Sequence, residues 1–442
     1  KLQHIRRKYM RKYCKHIKPT EDGYVITEFL PDVPWSGKHN TICCSAGHHF
    51  YEGRWLYNRK YLSDYAEFWF TEGAKPRLYS FWSADSILAL CKVTGDLTVA
   101  RELYNGIKNN WLEWEKTNMR ECGLFYQIDD RDGMEFSVSG NGYRPTINSY
   151  MCGDALAISQ IARLLGKENE SKFFYDKYSK LKELINTRLW NAEADFYMTL
   201  AENGNYAFSG VREEIGYIPW YFNIPDDEKT VAWRFLNDEK YFKAPFGPTT
   251  VEKNHPEFMR EHPHDCLWNG PSWPFATSQT LTALGNLISN YNQTLMKKSD
   301  YYDLVDTYAK SQYLNGEPFI DENIDPFTGA WAVRERLHSQ TPLPDDAERG
   351  KDYNHSTFCD LVIGGLSGVR PSLDSTVTVN PLFGEDDLEY FCADGILYHG
   401  HYITVVWDKT GERYNRGRGL TVLCDGETAG TMPVPSAVKF SI

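Results

Sequence analysis

From residue 55 to residue 368, apolar side chains recur at helical spacing in segments separated by Gly-, Pro- and Asp-rich stretches. The spacing predicts helices over 55–70, 80–96, 97–117, 146–166, 169–190, 226–238, 272–291, 299–314 and 354–368. Segment 80–96 ends at Gly95 with Lys92 in its last turn, and segment 146–166 ends at Gly166. Both are helix-stop signals, because glycine takes the left-handed conformation that closes a helix and a cation offsets its carbonyl end. Most long helices are followed after a very short turn by a partner, so they pair as antiparallel hairpins. Repetition of such hairpins predicts a mainly α fold closed into an α/α toroid, with the long loops gathered at one end as the natural site. An open solenoid of helix pairs fits less well: no consistent sequence repeat is present, and the loops are long and rich in reactive side chains.

After Arg370 the period changes. STVTVNPLF, DGILYHGHYITVVWD and GRGLTVLCDG alternate apolar and polar residues around Gly, Asp and Asn turns, which predicts strands. The expected division is a linker helix and entry segment over 1–44, a catalytic toroid over 45–370, and a small β-sandwich-like domain over 371–442. The basic opening KLQHIRRKYMRKYCKHIK lacks the apolar core of a signal peptide and is expected to be an amphipathic helix docked on its neighbours. The first residue is Lys1, not Met, which leaves room for a leader or an upstream domain.

Composition narrows the class of partner. No run of apolar residues is long enough to span a membrane. A formal net charge of −12 argues against a nucleic-acid face and suits a neutral ligand. Aromatic residues make up 15% of the chain, with 13 Trp and 29 Tyr, enough to supply stacking platforms for sugar rings as well as a core. The ten cysteines show neither a disulfide framework nor a zinc-knuckle spacing, so they leave the redox compartment open.

Two acidic segments carry the candidate chemistry. DGMEFSVSG (132–140) contains Asp132 and Glu135, and FIDENIDPFTG (319–329) contains Asp321, Glu322 and Asp325. Two carboxyl groups facing each other across a pocket are what acid/base cleavage of a glycosidic bond requires. A plain acidic turn capped by Asp325 is the competing explanation for the second. Calcium is the minor alternative at the first segment, where only Asp130 and Asp132 fit an EF-hand-like pattern because Ile128 takes its first place. The HDCLWNGPSWPF turn sets Trp268, Asn269 and Trp273 at a helix start. His255, His262, His264 and Cys266 precede it without the spacing of a zinc site. Further candidates for the substrate pocket are Trp55, Trp82, Arg144, Arg212, Glu213, Trp220 and His355.

The ordered series GME-x-S, RPTINSYMCGDALAISQIARLLG, EEIGYIPWYF, LWNGPSWPFATSQTLTAL, DENIDPFTG and NHSTFCDLVI resembles the six-hairpin glycosidases. Within them it is most similar to the glycoside hydrolase family 63 group and the mannosylglycerate-hydrolase-like enzymes, over roughly residues 45–370. That resemblance implies an (α/α)6 toroid that hydrolyses α-linked sugars with inversion. It puts Glu135 in the general-acid position, where the family has Asp, with Asp132 as rival. It puts Glu322 in the general-base position. Trp268, Asn269, Gly270, Pro271 and Trp273 match the family's pocket-lining Trp-x-Gly-Pro-x-Trp segment. The family's Asn-Ser-Pro-Arg continuation after the acid is absent, which bears on the substrate more than on the reaction.

The reaction expected is inverting, exo-acting hydrolysis of an α-linked, α-glucoside-like sugar on an oligosaccharide or glycan, with no cofactor and no metal. An α-L-rhamnosidase-like hydrolase on the same toroid and a carbohydrate-binding pseudoenzyme are the alternatives. An epimerase or lyase would instead use a base such as His264 or His355.

Overall fold

The computed structural model describes residues 1–202 and 205–442. Helices pack in two concentric layers, and burial separates them. The inner layer comprises α2 (Ala46–Gly53), α4 (Ser83–Thr94), α6 (Pro145–Leu164), α8 (Ile218–Tyr221), α9 (Pro274–Asn290) and a π-helical turn at Leu361–Leu366. The outer layer comprises α1 (Leu2–His16), α3 (Lys60–Phe68), α5 (Thr98–Asn118), α7 (Glu168–Leu184), a 3-10 run at Asp227–Phe235, and α10 (Lys298–Ser311). In α6, 16 of 20 residues are buried; in α7, only 2 of 17 are. A helix apolar or small on every side belongs inside, and one with a single apolar stripe belongs outside. Six pairs result, and the expected (α/α)6 toroid is the fold.

The boundaries differ from the spacing in instructive ways. α2 was not anticipated. Its sequence AGHHFYEG carries polar residues that the ring interior satisfies, so it shows no helical stripe. Segment 55–70 is helical only from Lys60. Segment 226–238 is a 3-10 run, and 354–368 is extended before its π turn. In the last case Glu52 accepts the backbone N–H groups of Phe358, Cys359 and Asp360, which replace ordinary helix bonds.

α1 is an outer helix that closes the ring. Tyr9 bonds the Tyr308 hydroxyl at 2.8 Å and Gln312 at 3.0 Å, and it stacks on Phe358. Lys8 and Lys15 pair with Asp352. A hairpin of β1 (Ile17–Thr20) and β2 (Gly23–Ile26) then turns the chain toward the ring axis. Two-residue hairpins β3 (Trp190–Asn191)/β4 (Phe196–Tyr197) and β5 (Tyr313–Leu314)/β6 (Glu317–Pro318) and a short helix α11 (Ala332–His338) decorate the loops.

The last seventy residues form two antiparallel sheets. One runs β12 (Glu427–Met432), β11 (Gly419–Cys424), β10 (His401–Asp408), β9 (Tyr390–Tyr398). The other runs β13 (Val438–Ser441), β8 (Thr376–Val379), β7 (Val369–Arg370). Val377, Val379, Ile403, Val405, Trp407 and Val422 fill the space between them, and Trp55, Val93 and Ile363 of the ring join the same core. The sandwich therefore shares its interior with the toroid rather than hanging from it.

Candidate active site

The inner helices begin at one mouth of the ring and end at the other. At the starting mouth, Cys44, Tyr79, Trp273 and His355 stand just before inner-layer elements and line one pocket with Glu28, Glu135, Cys266 and Trp268. At the other mouth lies a larger cavity of about 910 Å3, closed partly by Thr376, Thr378 and Lys439 of the sandwich. Of the cations lining it, Arg54 pairs with Asp360, and Lys92 ends α4, where a positive charge offsets the helix carbonyls. The chemistry predicted for the two acidic segments lies at the first mouth.

Glu135 is delivered by a rigid strap. A 3-10 turn at Asp129–Asp132 ends at Gly133, whose φ of +72° glycine tolerates without a side-chain clash. Behind it, Asp132 and Arg144 form a fully buried ion pair at 2.5 Å. Asp132 also accepts hydrogen bonds from Ser80 and Thr146. Arg144 donates to Ser137, Ser139 and the Gly140 carbonyl. Glu213 accepts the Ser139 N–H at 3.1 Å. Asp132, Arg144 and Glu213 thus brace the loop and do not face a ligand. Both Asp132 oxygens are engaged by donors, whereas Asp130, the other residue of the calcium alternative, is partly exposed beside Arg131. The Glu135 carbonyl accepts the Trp268 N–H at 3.1 Å, and its side-chain Oε2 meets the Cys266 thiol at 2.9 Å. Burial raises the Glu135 pKa, against the contact from Cys266, which lowers it.

Glu322 comes from the opposite side. Ser272 and Ile324 exchange two backbone hydrogen bonds of 2.9 Å, which lock segment 320–325 against the turn bearing Trp268 and Trp273. Glu322 is 4% exposed, and Arg349 Nε stands 3.5 Å from its Oε1. Burial pushes its pKa up to about 8, with the Arg349 guanidinium opposing and Asp321 and Glu135 reinforcing the shift. Asp321, raised by burial to about 6, is held by Arg334.

The pocket walls are aromatic. Trp268 and Trp273 stack with centroids 4.6 Å apart and planes 13° apart, and Trp273 donates to the Leu267 carbonyl. His355 packs on Tyr353 and Trp273, with both ring nitrogens buried and unpartnered among the described residues. Burial keeps it neutral. Asn269 holds the loop below by donating to the Glu257 and Arg260 carbonyls.

Four sequence candidates lie elsewhere. Trp55 donates to Asp360 and packs into the sandwich core. Trp82 is buried against Tyr150 and His48 inside the ring. Trp220 packs with Trp233 and Tyr197. Arg212 pairs with Glu252 at 2.9 Å and stacks on Phe235. Large aromatics are the natural filling of a ring interior, so their type alone did not separate wall from core. The residues that sequence reasoning missed are Glu28, Cys44, Tyr79 and Arg349, and Cys266 was considered only beside the histidines as a metal ligand. Glu28 sits in VITEFLP, where an isolated acid after an apolar strand was the available signal.

Among the described residues, two groups could share a metal ion: Glu21, Asp22 and His39, and His401, Cys424 and Asp425. Neither lines the pocket, and Asp22 already pairs with Lys38. Among the described residues, no helix is long and apolar enough to cross a membrane.

Comparison with known proteins decides the family. The family model for the mannosylglycerate hydrolase MGH1-like glycoside hydrolase domain matches residues 38–356. The chain belongs to this glycoside hydrolase family. A solved structure named sialidase superposes with a TM-score of 0.92 and 42% identity, covering 98% of this chain and 40% of its own. The chain thus spans about 40% of that protein's length. The family 63 mannosylglycerate hydrolase of Thermus thermophilus, in complex with glucose, superposes with a TM-score of 0.60 and 12% identity, covering 81% of this chain and 99% of its own. A family 78 rhamnosidase of a Bacillus species gives 0.56 and 12%, covering 91% of this chain and 39% of its own. These last two share the fold. An uncharacterised protein of Borreliella burgdorferi is 26% identical over 159 residues, 35% of this chain and 33% of its own.

Proposed function

We propose that this domain is an inverting, exo-acting glycoside hydrolase in which Glu135 protonates the leaving oxygen and Glu322 activates water on the opposite face of the sugar. One observation carries the reading: Glu135 lines a Trp-walled pocket, Glu322 from a segment far away in sequence is buried within its electrostatic reach, and of the two only Glu322 has a cation within ion-pair distance among the described residues. A general acid must hold its proton at working pH, and Glu135, raised by burial and without an ion pair, suits that role. A general base must be able to ionise, and Arg349 favours the Glu322 anion. Inversion needs carboxyl groups ~6.5–9.5 Å apart to admit a water. The bound sugar would stack on the Trp268–Trp273 wall.

For the substrate, terminal α-sialosides come first, because the relative 42% identical over nearly the whole chain is named a sialidase. Terminal α-glucosides, α-mannosides and α-L-rhamnosides come next. The test is hydrolysis of the four corresponding 4-methylumbelliferyl glycosides, followed by proton NMR of the first product anomer. Release of the inverted anomer, abolished in Glu135→Gln and Glu322→Gln, is expected. Net retention would remove the inverting assignment, and full turnover by Glu322→Gln would remove that residue from the mechanism.

A further inference from the structure

We propose that Glu28 is a third carboxyl group of this site, a neutral hydrogen-bond donor to the sugar held between Glu135 and the Trp268–Trp273 wall. The inference rests on the carbohydrate reading above and adds a substrate-contacting residue to it. Glu28 is 3% exposed and lines the same pocket as Glu135.

Its backbone is fixed from both sides. The Glu28 carbonyl accepts the Asn354 N–H at 2.9 Å, and the Thr27 carbonyl accepts from Asn354 Nδ2 at 3.0 Å. On the other flank, Asn40 Nδ2 donates to the Phe29 carbonyl. The strand-to-loop turn after β2 thereby sets the Glu28 side chain beside His355, the residue after Asn354. Such fixing of a single acid is more than a passing loop requires. It is the placement of a group that must meet a ligand.

The electrostatics exclude a purely structural ion. No basic side chain lies within salt-bridge distance of Glu28 among the described residues, and the Cys44 thiol, 3.9 Å away, is a weak partner. The titratable groups around it are Glu135, Glu322, Cys44 and the Tyr353 hydroxyl. Arg349 belongs to Glu322, and neutral His355 brings no charge. Burial, with Glu322 and Glu135 adding repulsion, pushes the Glu28 pKa up to about 8. The Tyr353 hydroxyl and the Cys44 thiol are its side-chain partners, and a protonated carboxyl facing the pocket can still offer its O–H to a ring hydroxyl or a carboxylate.

The test is calorimetric titration of the whole domain and its variants Glu28→Gln and Glu28→Ala with N-acetylneuraminic acid, glucose, mannose and rhamnose at pH 6 and pH 9. Hydrolysis of the four methylumbelliferyl glycosides is measured alongside. Glu28→Gln keeps a donor of the same shape. It should bind the preferred sugar as wild type does at pH 6 and better than wild type at pH 9, where Glu28 has ionised. Glu28→Ala should bind about ten-fold or more weakly at pH 6, the loss expected for one buried hydrogen bond. A structural role alone would not make the pH dependence of binding differ between Glu28→Gln and wild type. Wild-type affinity in Glu28→Ala, or the same pH dependence in Glu28→Gln as in wild type, overturns the proposal. If wild type binds a sugar without cleaving any glycoside and Glu28→Ala weakens that binding, the hydrolase reading falls and Glu28 stands. If wild type cleaves and Glu28→Ala binds normally, Glu28 falls and the hydrolase reading stands. If wild type neither binds nor cleaves any of the four sugars, both fall.

Discussion

Replacing Arg349 by Gln removes the positive charge nearest Glu322 and should move the acid limb of the pH–rate profile upward. At the 3.5 Å between Arg349 Nε and Glu322 Oε1, two unit charges attract by ~5 kcal/mol at an effective dielectric constant of ~20. Glu322 does not receive all of it. Arg349 also contacts Asp346 at 2.9 Å and Asp265 at 3.1 Å. If the charge is shared among three carboxylates, ~1.5 kcal/mol reaches Glu322, or about one pKa unit. The sign follows from the role. A general base works as the anion, and losing a neighbouring cation raises its pKa from an already elevated value of about 8. The ionised fraction below the pKa falls ten-fold per unit. Initial-rate kcat/KM measured from pH 5 to 10 should therefore show a limb displaced upward by about one unit. The loss at pH 7 should be about ten-fold and should shrink toward pH 10. Arg349→Lys, which keeps the charge, should move the limb less. A limb that stays in place, or a loss equal at every pH, refutes Arg349 as the group that tunes Glu322.

Three further outcomes follow from other parts of the structure. The folded-state pKa of Glu322 lies above its unfolded value, so its contribution to stability is fully present below about pH 4.3 and is lost as pH rises toward about 8. Glu322→Gln should consequently raise Tm at pH 8 and leave it unchanged at pH 4 in thermal melts, even as activity disappears. Arg144→Met should leave Asp132 charged and unpaired in the interior, cost ~3–5 kcal/mol in denaturant unfolding and lower kcat by loosening the Glu135 strap. Trp55→Ala should cost ~3 kcal/mol or more by opening the shared core of ring and sandwich, yet leave KM unchanged, because Trp55 faces Asp360 and not the pocket.

Legibility in the sequence followed how each residue is buried. The outer helices and the strands were readable, because one face meets water and the period shows. α7, with Phe174 and Leu181 as its buried positions, and β8, with Val377 and Val379 buried and Thr376 and Thr378 outward, are the plain cases. The inner layer blurred that signal. α2 buries His48, His49 and Glu52, whose polar atoms largely meet ring partners: His49 reaches the Tyr65 hydroxyl and the Asn354 carbonyl, and Glu52 takes three backbone N–H groups. A helix satisfied in this way has no polar face to mark it. The candidate site was legible where an acid stood in a distinctive loop, as at Glu135 and Glu322. It was illegible where the residue type has two common uses. Trp82 and Trp220 are core, Trp268 and Trp273 are wall, and the letters are the same. Arg144 and Glu213 were expected at the substrate; the structure buries both and bonds them to segment 137–140.

The two acidic segments, equal in appearance, are held in different ways, and that difference bears on their roles. In the first, the cation is directed at the loop: Arg144 neutralises Asp132 and leaves Glu135 with only a thiol beside its carboxyl. In the second, the cation is directed at the acid itself, because Arg349 reaches Glu322. Glu28 has no cation at all. Three buried carboxyl groups within one another's field do not all ionise together, since each charge raises the pKa of the others. Among the described residues, Arg349 is the basic group within ion-pair distance of any of the three, so its field favours the anion on Glu322, against the burial that raises Glu322 and Glu28 alike to about 8. A single anion facing a protonated acid is the charge state that inverting hydrolysis needs before the bond breaks. This assignment comes from where the arginines point and is independent of the motif around either acid. Moving the charge tests it: if Glu322→Gln leaves Glu135 titrating where it does in wild type, followed by carboxyl carbon-13 NMR, the two groups do not share a field and the pairing is wrong. A Glu135 pKa that falls in the variant is the expected result, because a neighbouring negative charge has been removed.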